Sequence, residues 1–276
     1  MKIPVVVISK TINPCPELKL VVNQAKAWNS DVFLLGDEGN QDYCPDNHKF
    51  MSEYYEGVED FENLYQHLST NPQDIEKFCF SRWFILRNFL RKEGYKGAFY
   101  IDNDILLFTD VSVEYEKRKH LYCMLSGKTS GHSSYWSIEG IEAFCDYLME
   151  IYSNKDSYDF ARLASHYHVR QQHGLYGGLC DMTLLESFGR YRYPHMVGEG
   201  SVANPTSKEP YYDHVIQEDE GFEHENGRKK FIITDGIPYS KYLSTGTYIP
   251  FATVHFQGAN KPLMAPFIKE CNDTLI

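Results

Sequence analysis

The chain has 276 residues, of which 42% are hydrophobic and 24% charged, with 12 Pro and 19 Gly; this composition excludes collagen-like and wholly disordered chains. The 38 acidic residues outnumber the 27 basic ones, and the net charge of −11 without any long basic run argues against nucleic acid as a partner. An acidic protein that handles a phosphorylated small molecule needs a metal ion, a few well-placed basic residues or helix N-termini to offset the repulsion.

The first part of the chain predicts a β-α-β unit. Residues 3–8 and 32–35 are continuous apolar runs, typical of parallel strands covered on both faces, and residues 17–28 between them have an amphipathic pattern long enough for a helix. The second strand ends in a loop at 36–40, and ligands commonly bind at such carboxyl ends. Residues 41–76 have irregular spacing and are expected to form a loop and a short helix.

A longer helix and a third strand follow. Apolar residues recur at helical spacing between 75 and 92, and Gly94 and Gly97 are expected to end this helix. A strand is predicted at 98–101. It leads directly into the acidic segment 102–104.

The alternation of strand and helix continues in the middle of the chain. The apolar residues 121–125 predict a fourth strand, and the small residues 126–134 predict a loop after it. A helix with one apolar face is expected at 137–152, and a short helix at 181–188.

The last part of the chain is loop-rich from 190 to 229 and then predicts β structure. Residues 231–233 and 237–239 flank an Asp-Gly turn, which is a hairpin signal. A last strand is expected at 252–256. Because no repeat, low-complexity tract or linker interrupts the sequence, we expect a single domain over residues 1–276.

Cysteine usage and the N-terminus bear on the compartment. The seven Cys form no Cys-x-x-Cys pair and no zinc-like spacing, so we expect reduced thiols. No signal peptide or transmembrane segment is recognisable, and the protein is therefore expected to be cytoplasmic. In that compartment the sequon at Asn272 has no role in glycosylation.

The segment FYIDNDILLF at 99–108 is the strongest chemical feature. Asp102 and Asp104 lie between apolar segments, where an unpaired charge is costly. Two carboxylates at the end of a strand are suitable ligands for Mg²⁺ or Mn²⁺, which in turn bridges to a diphosphate. The alternative to a metal site is a solvated turn without a ligand.

A second feature is His255-x-x-Gly258-x-x-Lys261-Pro262. An imidazole can complete a Mn²⁺ shell, a glycine allows close approach of phosphates to the backbone, and a lysine supplies positive charge. Taken singly, a histidine such as His255 is more often a core residue, and a lysine such as Lys261 is more often a solvated surface charge.

Together the two segments resemble the GT-A glycosyltransferases, most closely glycosyltransferase family eight, that of glycogenin and the lipooligosaccharide galactosyltransferases. That family has a strand ending in Tyr-Leu-Asp-x-Asp, similar to 100–104 here, and a C-terminal His-x-x-Gly-x-x-Lys-Pro-Trp, similar to 255–263 with Leu263 in place of Trp. The resemblance implies a Rossmann-like, mixed and mostly parallel sheet flanked by helices, with a C-terminal hairpin and a loop-rich acceptor region. Its site residues, by implication, are Asp102, Asp104 and His255 for Mn²⁺ or Mg²⁺, and Asp102, Gly258 and Lys261 for the donor diphosphate.

Several less specific sequence similarities extend the resemblance. Arg82 lies in a segment similar to the family's Tyr-x-Arg-Leu, which implies a position near the nucleotide or its phosphates. Residues 181–186 keep only the first Asp and one Leu of the family's Asp-Gln-Asp-x-Leu-Asn segment. The family's nucleoside-binding Asp, Asn and Tyr are not recognisable at 9–13. Segments 29–37 and 131–135 are similar to a loosely defined set of microbial and viral GT-A enzymes.

The resemblance implies transfer of a hexose or pentose, from a UDP-sugar or another nucleoside diphosphate sugar, to a glycan or similar acceptor. Asp181 is the candidate base for an inverting reaction, or an orienting group for a retaining one. His132 and Trp136, expected in the loop after the fourth strand, are weak candidates for contacts to sugar. Residues 1–110 are expected to bind the nucleotide, and residues 111–276 to bind the acceptor and to supply the C-terminal metal and phosphate motif.

Two other interpretations stay open. The first is a degenerate member of the same fold that binds nucleotide sugars or glycans without turnover; the retention of both metal carboxylates, His255 and Lys261 argues against it. A metal-dependent nucleotidyltransferase also needs an acidic metal site, but it should have a basic, glycine-rich phosphate loop near the N-terminus, and residues 36–40 contain no Lys or Arg. The oligomeric state is not predicted.

Overall fold

The structure is a computed structural model that describes residues 2–11, 16–127, 129–204, 206 and 209–273. Cys15, the segment 12–13 and part of the sequon at Asn272 lie outside the described residues. The strands are β1 (Val5–Ile8), β2 (Val32–Gly36), β3 (His48–Phe50), β4 (Gly97–Ile101), β5 (Ile105–Leu107), β6 (Cys123–Ser126), β7 (Ser130–Ser137), β8 (Val197–Glu199), β9 (Tyr211–Tyr212), β10 (His224–Glu225), β11 (Arg228–Lys229), β12 (Ile232–Thr234), β13 (Ile237–Tyr242) and β14 (Thr247–His255). The α-helices are α1 (Pro16–Trp28), α2 (Val58–Leu64), α3 (Gln73–Glu93), α4 (Val111–Arg118), α5 (Ile138–Ser153), α6 (Tyr158–Gln172), α7 (Asp181–Ser187) and α8 (Met264–Asp273). A π-helical turn follows α7 at Phe188–Arg192.

The described residues form a main sheet of seven strands in the order β3-β2-β1-β4-β7-β6-β8. The pairs β3–β2, β2–β1, β1–β4 and β6–β8 are parallel, whereas β7 is antiparallel to both β4 and β6. The sheet is thus mixed and mostly parallel, and helices cover it, which confirms the predicted fold class.

Both faces of this sheet are buried, as the continuous apolar strands predict. In β1, Val6 and Ile8 belong to a core with α3 and α5, while Val5 and Val7 belong to a second core with α1 and β14. Side chains alternate between the two faces of a strand, so a strand covered on both sides must be apolar at every position.

A second sheet, in the order β12-β13-β14-β5, joins the C-terminal part to the segment after β4. Its hairpin turns at Asp235 and Gly236, both with positive φ (51° and 72°), as expected for an Asp-Gly turn. The pairing of β14 with β5 is antiparallel and places His255 opposite Ile105. The last strand is therefore held against the Asp102–Asp104 turn.

The prediction of a loop at 126–134 is wrong for most of its length, because β7 begins at Ser130. Ser133 and Ser134 are fully buried, and Ser134 Oγ donates to the Gly131 carbonyl at 2.8 Å. A buried strand of small hydroxyl residues satisfies its polar groups internally and has no hydrophobic pattern. The helices α4, α6 and α8 and the strand β3 were also absent from the predicted elements.

No helix among the described residues is both long and apolar enough to cross a bilayer.

Candidate active site

The two sequence motifs meet at the end of β4. The Asp102 N–H donates to the His132 carbonyl on β7 at 2.8 Å, and the chain turns there into β5. One residue past β14, the Phe256 N–H donates to the Asp104 carbonyl at 2.9 Å. Backbone pairing alone therefore places the Asp-x-Asp turn beside His255.

The Asp104 carboxylate is the centre of this contact. Its Oδ1 lies 3.4 Å from His255 Nε2 and its Oδ2 lies 3.4 Å from Lys261 Nζ. Lys261 Nζ also donates to Asn103 Oδ1 at 3.2 Å. Lys261 belongs to the 3₁₀ turn Gly258–Leu263, and Gly258, which begins it, has a φ of 60°.

Electrostatics stabilise the charged forms of Asp104 and His255. Burial would raise the pKa of Asp104, but the hydrogen bond and charge of His255, together with Lys261, outweigh burial and hold that pKa below its usual value. Burial would lower the pKa of His255, yet the hydrogen bond and charge of Asp104 raise it. Each group therefore favours the ionised state of the other.

Arg82 joins two carboxylates from different elements. Its Nη1 lies 2.7 Å from Asp102 Oδ1 and its Nη2 lies 2.7 Å from Asp181 Oδ2. Tyr100 accepts from Arg82 Nη1 at 3.0 Å and donates to Asp102. Trp83 Nε1 also donates to Asp181 Oδ2, at 3.1 Å. Arg82 thus holds the strand end, α3 and α7 together, and both of its terminal nitrogens are already bound to carboxylates.

The pKa of Asp102 is raised, in contrast to that of Asp104. Burial is the largest cause, the charge of Arg82 opposes it, and the neighbouring Asp104 carboxylate adds to it. The two acidic residues of the motif are therefore electrostatically different: one is shared with an arginine inside the protein, and the other faces the C-terminal motif.

Trp136 and His132, the two weak candidates for contacts to sugar, both lie inside the protein on β7. Trp136 is fully buried, its Nε1 donates to Ser134 Oγ at 2.9 Å, and its ring lies 5.3 Å from that of Trp83. Trp136 therefore has no surface to offer a sugar, which corrects the expected contact, because the side chain belongs to the core. His132 lies on β7 and not in a loop.

The His132 ring packs against the ring of His255. The two ring centroids are 4.2 Å apart, and burial, with a smaller effect of His255 and His214, lowers the pKa of His132 well below its usual value. A neutral imidazole at this position packs against His255 without competing for Asp104.

A buried ion pair behind His255 was not predicted. The Lys229 and Asp213 side chains have no exposed surface, and their charged atoms are 2.8 Å apart. Asp213 Oδ2 accepts from the His255 N–H at 3.0 Å, and His255 Nδ1 donates to the His214 carbonyl. No local pattern marks this pair, because both residues lie in an irregular, charged region of the sequence.

The chemistry of the side chains at this site suits Mn²⁺ or Mg²⁺, since both ions accept carboxylates and an imidazole can complete the shell of Mn²⁺. Within the described ranges, however, no three or more His, Cys, Asp or Glu side chains are gathered closely enough to hold a metal ion. Asp104 and His255 are in mutual contact, while one oxygen of Asp102 is bound to Arg82 and Tyr100. The side chains are therefore of the types that bind these ions, and Asp104 and His255 are the pair that would bind the ion.

No family model and no curated protein matches the sequence. Among solved structures, an active-site mutant of LgtC is 12% identical with a TM-score of 0.52, covering 98% of this chain and 96% of that chain. LgtC in complex with donor and acceptor sugar analogs, described as a galactosyltransferase, is 13% identical with a TM-score of 0.49 over 98% of this chain and 96% of that one. The apo form of mouse xyloside xylosyltransferase 1 is 8% identical with a TM-score of 0.50, covering 72% of this chain and 85% of that chain. The two structures with TM-scores of 0.52 and 0.50 confirm the predicted resemblance for the fold: the chain has a GT-A fold.

Proposed function

We propose that this protein is a divalent-metal-dependent glycosyltransferase that moves a sugar from a nucleoside diphosphate sugar, a UDP-sugar in the first instance, to a hydroxyl group of a glycan or similar acceptor. The observation that carries the proposal is the contact of the Asp102–Asp104 turn with His255 and Lys261. Two motifs that are far apart in the sequence meet at the carboxyl end of a strand, where α/β proteins commonly bind nucleotides.

The reaction breaks the bond between the anomeric carbon and the diphosphate, and the electron pair leaves with the nucleoside diphosphate. The acceptor oxygen forms the new glycosidic bond, and its proton passes to a phosphate oxygen of the departing nucleoside diphosphate or to solvent. In this proposal Asp102, Asp104 and His255 hold Mn²⁺ or Mg²⁺, which supplies positive charge against the leaving diphosphate. Lys261 adds a second positive charge there, and Gly258 allows the phosphates to approach the backbone.

Asp181 is proposed to orient the substrate or to stabilise developing positive charge. It is 3% exposed, and Arg82 and Trp83 both donate to its Oδ2. Because both of these contacts occupy the same carboxylate oxygen, at 2.7 and 3.1 Å, they support orientation over proton abstraction. Retaining and inverting outcomes both stay compatible with this role. Arg82, held between two carboxylates, is proposed to position Asp102 beside the donor phosphates.

The experiment that tests the proposal is a thermal-shift screen of the full chain against UDP, GDP, CMP and common nucleotide sugars, with Mn²⁺ and with EDTA. A ligand that binds only the native state stabilises it by about 2.7 kcal/mol at 100 times its Kd. We expect a clear upward shift of the unfolding midpoint with one nucleotide family, lost in EDTA. A shift that is unaffected by EDTA contradicts the metal, and the absence of any nucleotide shift favours a glycan-binding protein on a degenerate scaffold.

Removing the imidazole of His255 tests its assignment to the metal. We expect His255→Ala to weaken Mn²⁺-dependent nucleotide binding by at least about tenfold, since changes in groups that only support a metal ligand commonly cost 10–100-fold. A Mn²⁺ titration followed by calorimetry in the presence of UDP measures the effect. His120→Ala, at an exposed histidine, is the control, and an unchanged titration for His255→Ala removes His255 from the site.

Gly258 offers a test that separates backbone strain from phosphate binding. A Cβ at Gly258 meets no atom within 4 Å, but its φ of 60° is unfavourable for alanine. Gly94, which ends α3, has a φ of 75° and equally open space. Both Gly→Ala variants should lose about 1–2 kcal/mol of unfolding free energy. Only Gly258→Ala should also weaken UDP binding, and equal UDP affinity in the two variants contradicts the phosphate role.

A further inference from the structure

A surface trough leads away from the candidate active site along α6 and α7. It consists of three neighbouring cavities of about 270, 50 and 310 Å³. Glu186 lines all three, and Arg190 lines the second and third. Met182 lines the first cavity and directly follows Asp181, so this end of the trough adjoins the proposed reacting centre.

The first cavity carries two basic side chains. His166 and Arg170 lie one helical turn apart on α6, are both exposed, and both line this cavity. Arg170 Nε donates to the Tyr176 carbonyl, and the described part of the chain contains no ion pair for Arg170. The Glu186 carboxylate is instead paired with Arg190, at 2.9 Å. In a chain of net charge −11, this end of the trough therefore offers the guanidinium of Arg170, with the imidazole of His166 beside it, to an acidic ligand.

The second cavity offers an aromatic surface. Tyr191 lines it and is 62% exposed, and the guanidinium carbon of Arg162 lies 4.6 Å from its ring centroid. Arg162 is itself fixed by a 2.9 Å hydrogen bond to Ser187 Oγ. A tyrosine ring that is held by an arginine and still open to solvent is suited to stack on the apolar face of a sugar.

We propose that this trough binds an acceptor glycan that carries carboxylate or phosphate groups. An acidic group of the glycan binds Arg170 and His166, a sugar ring stacks on Tyr191, and the reacting hydroxyl lies at the Met182 end. Guanidinium groups bind carboxylates and phosphates through paired hydrogen bonds, so Arg170 is the main source of selectivity. The inference rests on the proposed glycosyl transfer and names the class of its acceptor.

The test compares oligosaccharides of equal length by calorimetry: a galacturonic acid tetramer, a phosphorylated maltotetraose and neutral maltotetraose. We expect at least one acidic probe to bind about tenfold more tightly than the neutral one, and the two acidic arms distinguish carboxylate from phosphate. Arg170→Ala should lower the affinity for the preferred probe about tenfold, as expected for the loss of one charge-assisted hydrogen-bonding group. Arg91→Ala, at an exposed arginine on α3 outside the trough, should leave the affinity unchanged.

His166→Ala provides a second variant, because Arg170→Ala also removes a contact to the Tyr176 carbonyl. The inference is overturned if the neutral probe binds as tightly as both acidic ones, or if both variants keep wild-type affinity. Nucleotide binding by the two variants should equal that of the wild type. Arg170-dependent binding of an acidic probe without any nucleotide binding supports the trough and contradicts the proposed transferase, so the two failures are distinguishable.

Discussion

Replacing Asp104 with asparagine is expected to lower glycosyl transfer at least about 10²–10³-fold, the size of effect that follows the loss of one group stabilising charge in a transition state. Asn keeps the shape of Asp104 but removes the negative charge that faces both His255 and Lys261. The measurement is kcat/KM for release of the nucleoside diphosphate, with the donor taken from the nucleotide screen and the acceptor from the oligosaccharide comparison.

Asp46→Asn is the matched control for Asp104→Asn, since the Asp46 side chain is 87% exposed and Lys26 Nζ, with which it pairs, is 3.9 Å away. It should leave activity and stability unchanged, because exposed ion pairs contribute little. The midpoint of thermal unfolding must stay close to that of the wild type in Asp104→Asn for the loss to be assigned to chemistry. Full activity in a folded Asp104→Asn protein would rule out the proposed role of this carboxylate.

The parts of the fold that sequence patterns predicted are those in which periodicity and burial agree. The helix α3 was predicted at 75–92 and spans Gln73–Glu93, ending at Gly94 with positive φ. The strand β4 was predicted at 98–101 and spans Gly97–Ile101, fully buried. In both cases the spacing of the apolar side chains marks the element as buried, and that information is local in the sequence.

The sequence predicted which residues belong to the candidate site but not which ion pairs and hydrogen bonds join them. Asp102 and Asp104 were recognisable because charges are rare between apolar segments, and His255 because it begins the motif His-x-x-Gly-x-x-Lys-Pro. The ion pairs of Arg82 depend on how α3 packs against α7, which no local pattern records. One signal was present: Tyr100 and Asp102 are two residues apart at the end of a strand and so point to the same face, the face from which Arg82 reaches both.

Regions whose polar groups are buried were the least predictable. Four of the eight residues of β7 are serines, and the strand was predicted as loop for much of its length. The segment 190–229 was predicted as loop-rich, although it contains Lys229 and Asp213, the fully buried ion pair. A buried charge looks like a surface charge in sequence, because only the tertiary fold supplies its partner.

Lys229→Met is expected to lower the free energy of unfolding by about 3–5 kcal/mol, the cost of leaving a buried charge without its partner. Lys229 Nζ donates to Asp213 Oδ1 at 2.8 Å, to the Val215 carbonyl at 2.7 Å and to Glu220 Oε2 at 2.6 Å. Methionine fills a similar volume but offers none of these hydrogen bonds. Urea unfolding followed by circular dichroism measures the difference.

The neighbouring Lys230 is the control, because its side chain is 41% exposed and it pairs with Glu223 at the surface. Lys230→Met should change the free energy of unfolding by no more than about 1 kcal/mol. Adding Asp213→Asn to Lys229→Met should recover part of the loss, because it removes the stranded charge. Equal stability of Lys229→Met and Lys230→Met contradicts a structural role for the buried pair.

The Lys229 substitution also connects stability to the candidate site. Asp213 accepts from the His255 N–H at 3.0 Å, so an Asp213 carboxylate without its lysine no longer holds the end of β14 in one position. We therefore expect Lys229→Met to weaken Mn²⁺-dependent nucleotide binding at temperatures where the variant is still folded, whereas Lys230→Met keeps wild-type binding. If Lys229→Met folds and keeps wild-type metal and nucleotide affinity, the ion pair contributes to stability alone. The position of His255 then does not depend on the Lys229–Asp213 pair.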